Sequence, residues 1–456
     1  MRGYALVIFA LFSTVSLAEE PDKKDWPKQL SVEAGRQWKG AGATFAWVKL
    51  NAEGGYSYVD KRDADTIPMI CLSNWTDRRI SSLIAPDVPF GLDFATWDVS
   101  DFTFEAISNF KELRILRVDR GRLTDKTLKE IAGLEKLEVL QIATTDFTDA
   151  GIKELRNLKN LQTLDLRGTK LTDIGIAELK ELKKLAILSL GQTRIQDEGM
   201  KTVGAFENLV HLDLQSTFVG DDGMKELTKL KKLKVLNLAV VRKISDEALK
   251  TVGKLEQLEW LDLTYVKFTD AGLKELRSLK NLTYLSLRQT RSTDEGMKSI
   301  GQLKSLKSLC VDSSDVTDVG VRELGKLTNL TELNLGYTSM TDVGVKEMTK
   351  LKKLTVLNIS NTAISDVGMN DLSQLKSLTT LHLSGTKITG KAMKDLSALE
   401  NLTWLSLDHT NVKDIETKDI SKLKKLKKLS LIGLELTPSA IYVLNEALPG
   451  CHVQVK

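Results

Sequence analysis

Residues 161–184 read LQTLDLRGTKLTDIGIAELKELKK, and Leu185 opens the same phrase again with LAILSL. Leu161, Leu164 and Leu166 stand at positions one, four and six, so the last two point to one side of a short extended segment. Further on, Ile174 to Leu182 carries apolar residues at helical spacing. Outward from this stretch, L-x-x-L-x-L begins fourteen times, from Leu113 to Leu426. Every step is 24 residues except the 25 from Leu233 to Leu258, whose extra residue falls within Ala239 to Lys243. A degenerate copy stands one period earlier at Pro89, Leu92 and Phe94. One such unit cannot bury its own apolar face, whereas stacked units share a continuous core. The period therefore predicts a solenoid with parallel strands on one side and helices on the other.

The polar positions of the unit have mechanical readings. A Thr or Ser follows the strand in ten of fourteen copies, Thr145, Thr169, Ser314 and Thr410 among them. Its hydroxyl can satisfy backbone groups that no ladder pairs. Then comes an apolar-Thr/Ser-Asp step, as in Leu171-Thr172-Asp173; its Asp is present in twelve of the fourteen copies, with Gly390 and Pro438 in the other two. These aspartates read as helix-start caps, separated by a strand spacing or more along the stack, and not as a converging calcium site.

The fourteen phrases resemble the leucine-rich repeat family, from Pro89 to the C-terminus. The T-D-x-G-[LMIV] step resembles the 24-residue subclass of F-box-associated repeats and of secreted planctomycete-type bacterial proteins, with Thr where the F-box subclass usually has Cys. No F-box-like segment precedes the repeats. The resemblance implies an α/β leucine-rich-repeat solenoid, a curved parallel sheet on its concave side and helices on its convex side, with caps at both ends. It further implies a binding protein whose concave strand face receives the partner.

Residues 1–18 read as an export signal: Arg2, an apolar run from Ala5 to Val15, then Ser16-Leu17-Ala18 before Glu19-Glu20. Residues 19–35, with Pro21 and Pro27, read as a flexible leader, and 36–88 as an N-terminal cap. Within that cap Ala46–Leu50 and Tyr56–Val59 form a predicted hairpin around Gly54-Gly55. The solenoid is assigned to 89–437. A C-terminal cap follows over 438–456, a helix from Pro438 and a last strand from Cys451. Cys71, Cys310 and Cys451 fall in the first cap, the middle and the last cap, too far apart to pair, so three free thiols are expected. Cys310, at position five of its strand, is expected on the outward face.

A chain of 456 residues with 65 Lys+Arg, 61 Asp+Glu and only 7 Pro is a folded protein with too little net charge, +4, to grip nucleic acid. No segment after the signal is long and apolar enough to span a membrane. Position five runs small and polar with an acidic middle. The candidate binding cluster is His211, Asp213, Trp260, Asp262, Tyr265, Tyr284 and Arg288, where aromatic and charged groups coincide beside the 25-residue unit. Trp404, His382, Asp408 and His409 occupy similar places without being drawn into that cluster. Catalysis has little support, since His211 and Asp213 lack a nucleophile or metal-ligand spacing around them. Cofactor and metal are read as none. Lysine runs such as Lys422 to Lys428 read as a solvated edge, with an acidic polysaccharide as the rival. Asn-x-Thr/Ser sequons stand at Asn74, Asn281, Asn329, Asn358 and Asn401, of which the Asn-Leu-Thr ones read as repeat usage. The expectation is an exported, monomeric, non-catalytic binder of a protein partner. Alternatives are a carbohydrate or envelope-polymer module, or a ubiquitin-ligase adaptor if the signal is retained.

Overall fold

The computed structural model describes residues 30–455, apart from 61, 62, 64, 74–79, 81, 95–98, 119, 120, 122, 414–416 and 421. The export signal, most of the leader and the sequon at Asn74 lie outside the described residues. The chain divides into a first unit ending at Leu233 and a second running from Lys234.

The first unit opens with α1 (Val32–Gly40), which begins inside the stretch read as leader. Ser31 caps it by accepting the Ala34 N–H at 3.2 Å. Trp38 is fully buried, donates Nε1–H to the Ile84 carbonyl at 3.0 Å, and meets Phe110 edge-on at 5.9 Å. Burial of that indole fixes a short helix amid charged, proline-containing sequence. Strand β1 (Thr44–Leu50) then pairs antiparallel with β2 (Tyr56–Tyr58) and with β3 (Thr66–Leu72). From β3 the pairing turns parallel through β4 (Phe90–Phe94), β5 (Leu113–Val118), β6 (Val139–Gln141), β7 (Thr163–Asp165), β8 (Ile187–Ser189) and β9 (His211–Asp213).

The second unit runs in parallel throughout. Its strands are β10 (Val235–Asn237), β11 (Trp260–Asp262), β12 (Tyr284–Ser286), β13 (Ser308–Cys310), β14 (Glu332–Asn334), β15 (Val356–Asn358), β16 (Thr380–His382), β17 (Trp404–Ser406), β18 (Lys428–Ser430) and β19 (His452–Gln454), each paired with the next. The helix Pro438–Ala447 precedes β19. Equivalent positions face one another in the register, as in Leu285↔Leu309↔Leu333. The repeat leucines are buried; Leu161, Leu164 and Leu166 have no exposed surface. Both units are thus the expected α/β stack, with short helices alternating between strands.

Among the described residues, each coil from β6 to β18 leaves its strand through a residue with positive φ at position eight. Ten of these are not glycine, including Val240 and Tyr265, both at φ 62°. The N–H exposed by that turn donates to the next coil, as Tyr337 N does to the Ser360 carbonyl at 2.8 Å. The following hydroxyl then closes the turn on the carbonyl three residues back: Thr145 on Ile142 at 2.9 Å, Thr338 on Leu335 at 2.7 Å, and Ser314 on Val311 at 2.5 Å.

The Thr-Asp-x-Gly step divides its work differently from the cap reading. The capping oxygen belongs to the threonine: Thr317 accepts the Val319 N–H at 3.2 Å. The aspartate is the first helical residue and reaches forward to the next coil. Asp294 takes the Thr317 N–H at 2.8 Å on Oδ1 and the Thr317 hydroxyl at 2.7 Å on Oδ2. Asp149, Asp270, Asp318 and Asp366 do the same to Thr172, Thr293, Thr341 and Thr389. Both carboxylate oxygens are therefore committed within the stack. Glycine completes the motif because Asp294 Oδ1 also accepts the Gly320 N–H at 2.9 Å, and a Cβ there would lie 2.5 Å from that oxygen. The sequon asparagines have a related task. Asn281, Asn329 and Asn401 donate Nδ2–H to carbonyls of the preceding coil at 2.9–3.0 Å.

Gly320→Ala should therefore destabilise the protein by about 1–3 kcal/mol, the usual scale for forcing a methyl into filled space, although alanine is the better helix former. Thermal unfolding measures this. Val319→Ala, at a half-exposed neighbour, should stay within about 0.5 kcal/mol.

Candidate functional site

The open face of the first unit is occupied by its own chain. The β1–β2 hairpin doubles back over the sheet so that Val48 and Tyr56 pack on Met69, Cys71, Ile115 and Val139. Tyr56 donates its hydroxyl to Gln141 Oε1 at 3.3 Å, and Tyr58 to Asp93 Oδ2 at 3.2 Å. The hairpin tip reaches further, where Thr163 Oγ1 donates to the Gly54 carbonyl at 2.6 Å. A Cβ on Gly54 would stand 2.9 Å from Ala186, and one on Gly55 3.2 Å from Ile187. Gly54 also needs its φ of 86°, a left-handed conformation. The aliphatic residues at position three in β5, β6 and β8 are thus the floor beneath a fixed flap.

Position five is a second departure from expectation. The row is mostly buried: Asp165, Ser189, Asp213, Ser286 and Asn334 each expose 5% or less. With neighbouring strands ~4.8 Å apart, small side chains shield one another. Several also close the strand exit by accepting the N–H two residues on. Asp213 takes the Gln215 N–H at 2.9 Å, Asp262 that of Thr264 at 2.8 Å, and Asn334 that of Gly336 at 3.0 Å. Cys310, expected on the surface, is buried, receives Asn334 Nδ2–H on Sγ at 3.4 Å, and has its thiol pushed up to about 12 by desolvation. Cys71 is likewise buried and free, and Cys451 is half-buried and free.

Of the seven cluster residues, His211 and Asp213 belong to the first unit and the other five to the second. His211 is 2% exposed, and neither ring nitrogen has a hydrogen-bond partner among the described residues, so it forms no dyad with Asp213. Burial, with Arg167 assisting, pushes its pKa down to about 4. In the second unit β11 and β12 set Trp260 beside Tyr284, rings stacked at 4.6 Å and 5°. Such a pair adds about 0.5–1.5 kcal/mol beyond burial. Trp260 is only 7% exposed, contrary to the expectation of a free indole, and its Nε1 has no partner among the described residues. Tyr284 remains half-buried, with its hydroxyl pKa raised by desolvation and by the nearby Asp262. The Asp262 carboxyl is itself raised by burial. Arg288 pairs with Asp312 at 3.0 Å and stays 43% exposed against 7% for its partner. Tyr265, on the positive-φ turn, is 50% exposed and donates its N–H to the Arg288 carbonyl at 3.0 Å. Tyr284, Arg288 and Tyr265 are thus the accessible part of the cluster.

A second aromatic group lies further along the same unit. His382 of β16 meets the Trp404 ring of β17 edge-on at 4.5 Å, and Lys428 Nζ of β18 stands 4.6 Å from that ring's centroid. Asp408 accepts from the Ser430 hydroxyl at 2.6 Å and the Ile432 N–H at 2.8 Å. Burial pushes His382 down to about 4. Reading position three as one column would have joined Trp404 to Lys428 from sequence.

The buried His211 sets a pH dependence. Its folded pKa of about 4 lies below the ordinary 6.5, so the unfolded chain binds the proton more readily. Its effect on stability is absent above pH 6.5 and becomes a growing penalty as pH falls from 6.5 to about 4, roughly 3 kcal/mol in all. His211→Leu should flatten that part of the melting-temperature profile, with His382→Leu flattening a further portion.

Comparison with known proteins agrees with this geometry. The leucine-rich repeat region family matches residues 95–250 and 233–371, and a leucine-rich repeat profile matches 374–397. No curated protein sequence matches. Among solved structures, a leucine-rich-repeat protein of Leptospira interrogans is 26% identical over 84% of this chain and 99% of its own, with a TM-score of 0.58. An internalin, InlF of Listeria monocytogenes, is 27% identical over 66% of this chain and 82% of its own, with a TM-score of 0.55. With the family match spanning more than half of the sequence and the stacked-coil structure beneath it, the chain belongs to the leucine-rich repeat family.

Proposed function

We propose that this is an exported, monomeric, non-catalytic binding protein that engages a protein partner through the strand face of its second unit. The observation that carries this reading is the accessible group of Tyr284, Arg288 and Tyr265 around the stacked Trp260. Aromatic and arginine side chains held on a stiff ladder lose little conformational freedom on association, which is how a hot spot gains affinity. The first unit contributes less, because its own hairpin covers the corresponding face. Support for export comes from the sequence pattern over residues 1–18. Thr where the F-box-associated subclass usually has Cys, together with the signal-like residues 1–18, supports kinship with secreted bacterial repeat proteins over that subclass.

The test is proximity labelling in the host cell with the wild-type chain and with Trp260→Ala/Tyr284→Ala. A protein enriched by the wild type should drop at least tenfold in the double variant while the melting transition persists. Undiminished enrichment would remove the site. An N-terminus still carrying Met1 in the mature protein would remove the export reading, and glycan-array binding that no protein competes would favour a carbohydrate ligand.

A further inference from the structure

We propose that the place above Ser308 on this face receives an arginine side chain of the protein partner, its guanidinium stacked on Tyr284 and paired with Glu332. This rests on the protein-binding reading and adds the chemistry of the group received.

The inference comes from an interrupted stack. Along position three of a parallel ladder, side chains stand about 4.8 Å apart. Trp260 and Tyr284 fill two consecutive places with flat rings 4.6 Å apart. The register then gives Tyr284↔Ser308↔Glu332, so the next place holds a hydroxymethyl group and the one beyond it a carboxylate. The ring face of Tyr284 turned towards β13 thus has no third ring against it. Two strand spacings, roughly 10 Å, separate the backbones of Tyr284 and Glu332. The Glu332 carboxylate leans back to the Ser308 hydroxyl at 3.0 Å, so a planar group entering over Ser308 would meet the Tyr284 ring on one side and that carboxylate on the other. Buried Ser286 and Cys310 form the small-residue floor.

Charge selects which planar group. Arg288 and Asp312 neutralise one another. Asp262 is bonded to the Thr264 N–H and Glu332 to the Ser308 hydroxyl at 3.0 Å, and among the described residues neither carries an ion pair. The exposed Lys307 adjoins Ser308 in sequence but forms no salt bridge to Glu332. A neutral aromatic ring would extend the stack and leave Glu332 uncompensated. An ammonium would compensate charge without the flat face. A guanidinium does both, stacking on the ring and presenting paired N–H donors to a carboxylate.

The test titrates the full chain with Ac-Gly-Arg-Gly-NH2, Ac-Gly-Lys-Gly-NH2, Ac-Gly-Trp-Gly-NH2 and methyl glucoside, following the Tyr284 ring and Trp260 indole resonances by NMR. The arginine peptide should bind at least threefold more tightly than the other three. Glu332→Gln should weaken it roughly fivefold, and Ser308→Phe, which fills the place, should abolish its shifts while leaving the melting transition intact. Equal affinity for the lysine peptide, or no loss in Glu332→Gln, overturns the arginine seat. If Trp260→Ala/Tyr284→Ala still loses the protein partner while Ser308→Phe and Glu332→Gln keep it, the arginine assignment fails and the protein-binding reading stands. Saturation of Tyr284 by methyl glucoside but not by the arginine peptide would defeat both.

Discussion

Within each unit, every repeat-position side chain lies one strand spacing, about 4.8 Å, from its counterpart in the next coil. That distance permits flat rings to stack, as Trp260 and Tyr284 do. It lets a carboxylate span two coils, as Asp294 spans to Thr317, and forbids a β-carbon where that carboxylate lies, as at Gly320. Among the described residues, no single coil from β4 on has more than a strand of three to six residues and a short helix, so each one's order depends on its neighbours. The leucines supply the apolar area. The Thr-Asp-Gly contacts supply register, because a coil that slipped by one residue would lose all of them together.

The same spacing explains why the polar columns serve the fold before they serve recognition. A hydroxyl closes each turn on a carbonyl, and an Asp or Asn at position five holds the strand exit. Ten turns also tolerate a positive φ without glycine. The turn N–H is then aimed at the next coil's carbonyl, and that bond offsets part of the conformational strain. Arg288 and Tyr265 project beyond this shielding, while Asp213 and Cys310 do not.

Sequence was informative wherever a periodic pattern mirrored a periodic contact. Leu161, Leu164 and Leu166, and the Thr169 hydroxyl on the Leu166 carbonyl, follow from spacing alone. Outward-pointing residues were harder, since alternation gives direction but not depth: Asp213, Trp260 and Cys310 point away from the leucine core and are nonetheless covered. The capping role was legible in Thr317, whereas the forward reach of Asp294 needed the next coil in place. Two local features escaped because their partners are remote. Trp38 anchors a helix through Ile84, 46 residues away, and Gly54 reaches Thr163, 109 residues away. Neither separation is a multiple of the repeat.

That long-range hairpin contact makes the amino-terminal segment inseparable from the coils it overlies. Ile115, Val139 and Ile187 have the greasy character of an interior while standing on what would otherwise be a wet surface. A fragment trimmed to start at the first regular repeat would lay that strip bare to water and invite self-association. The natural boundary of the folding piece therefore lies well upstream of the place where the periodicity first becomes visible.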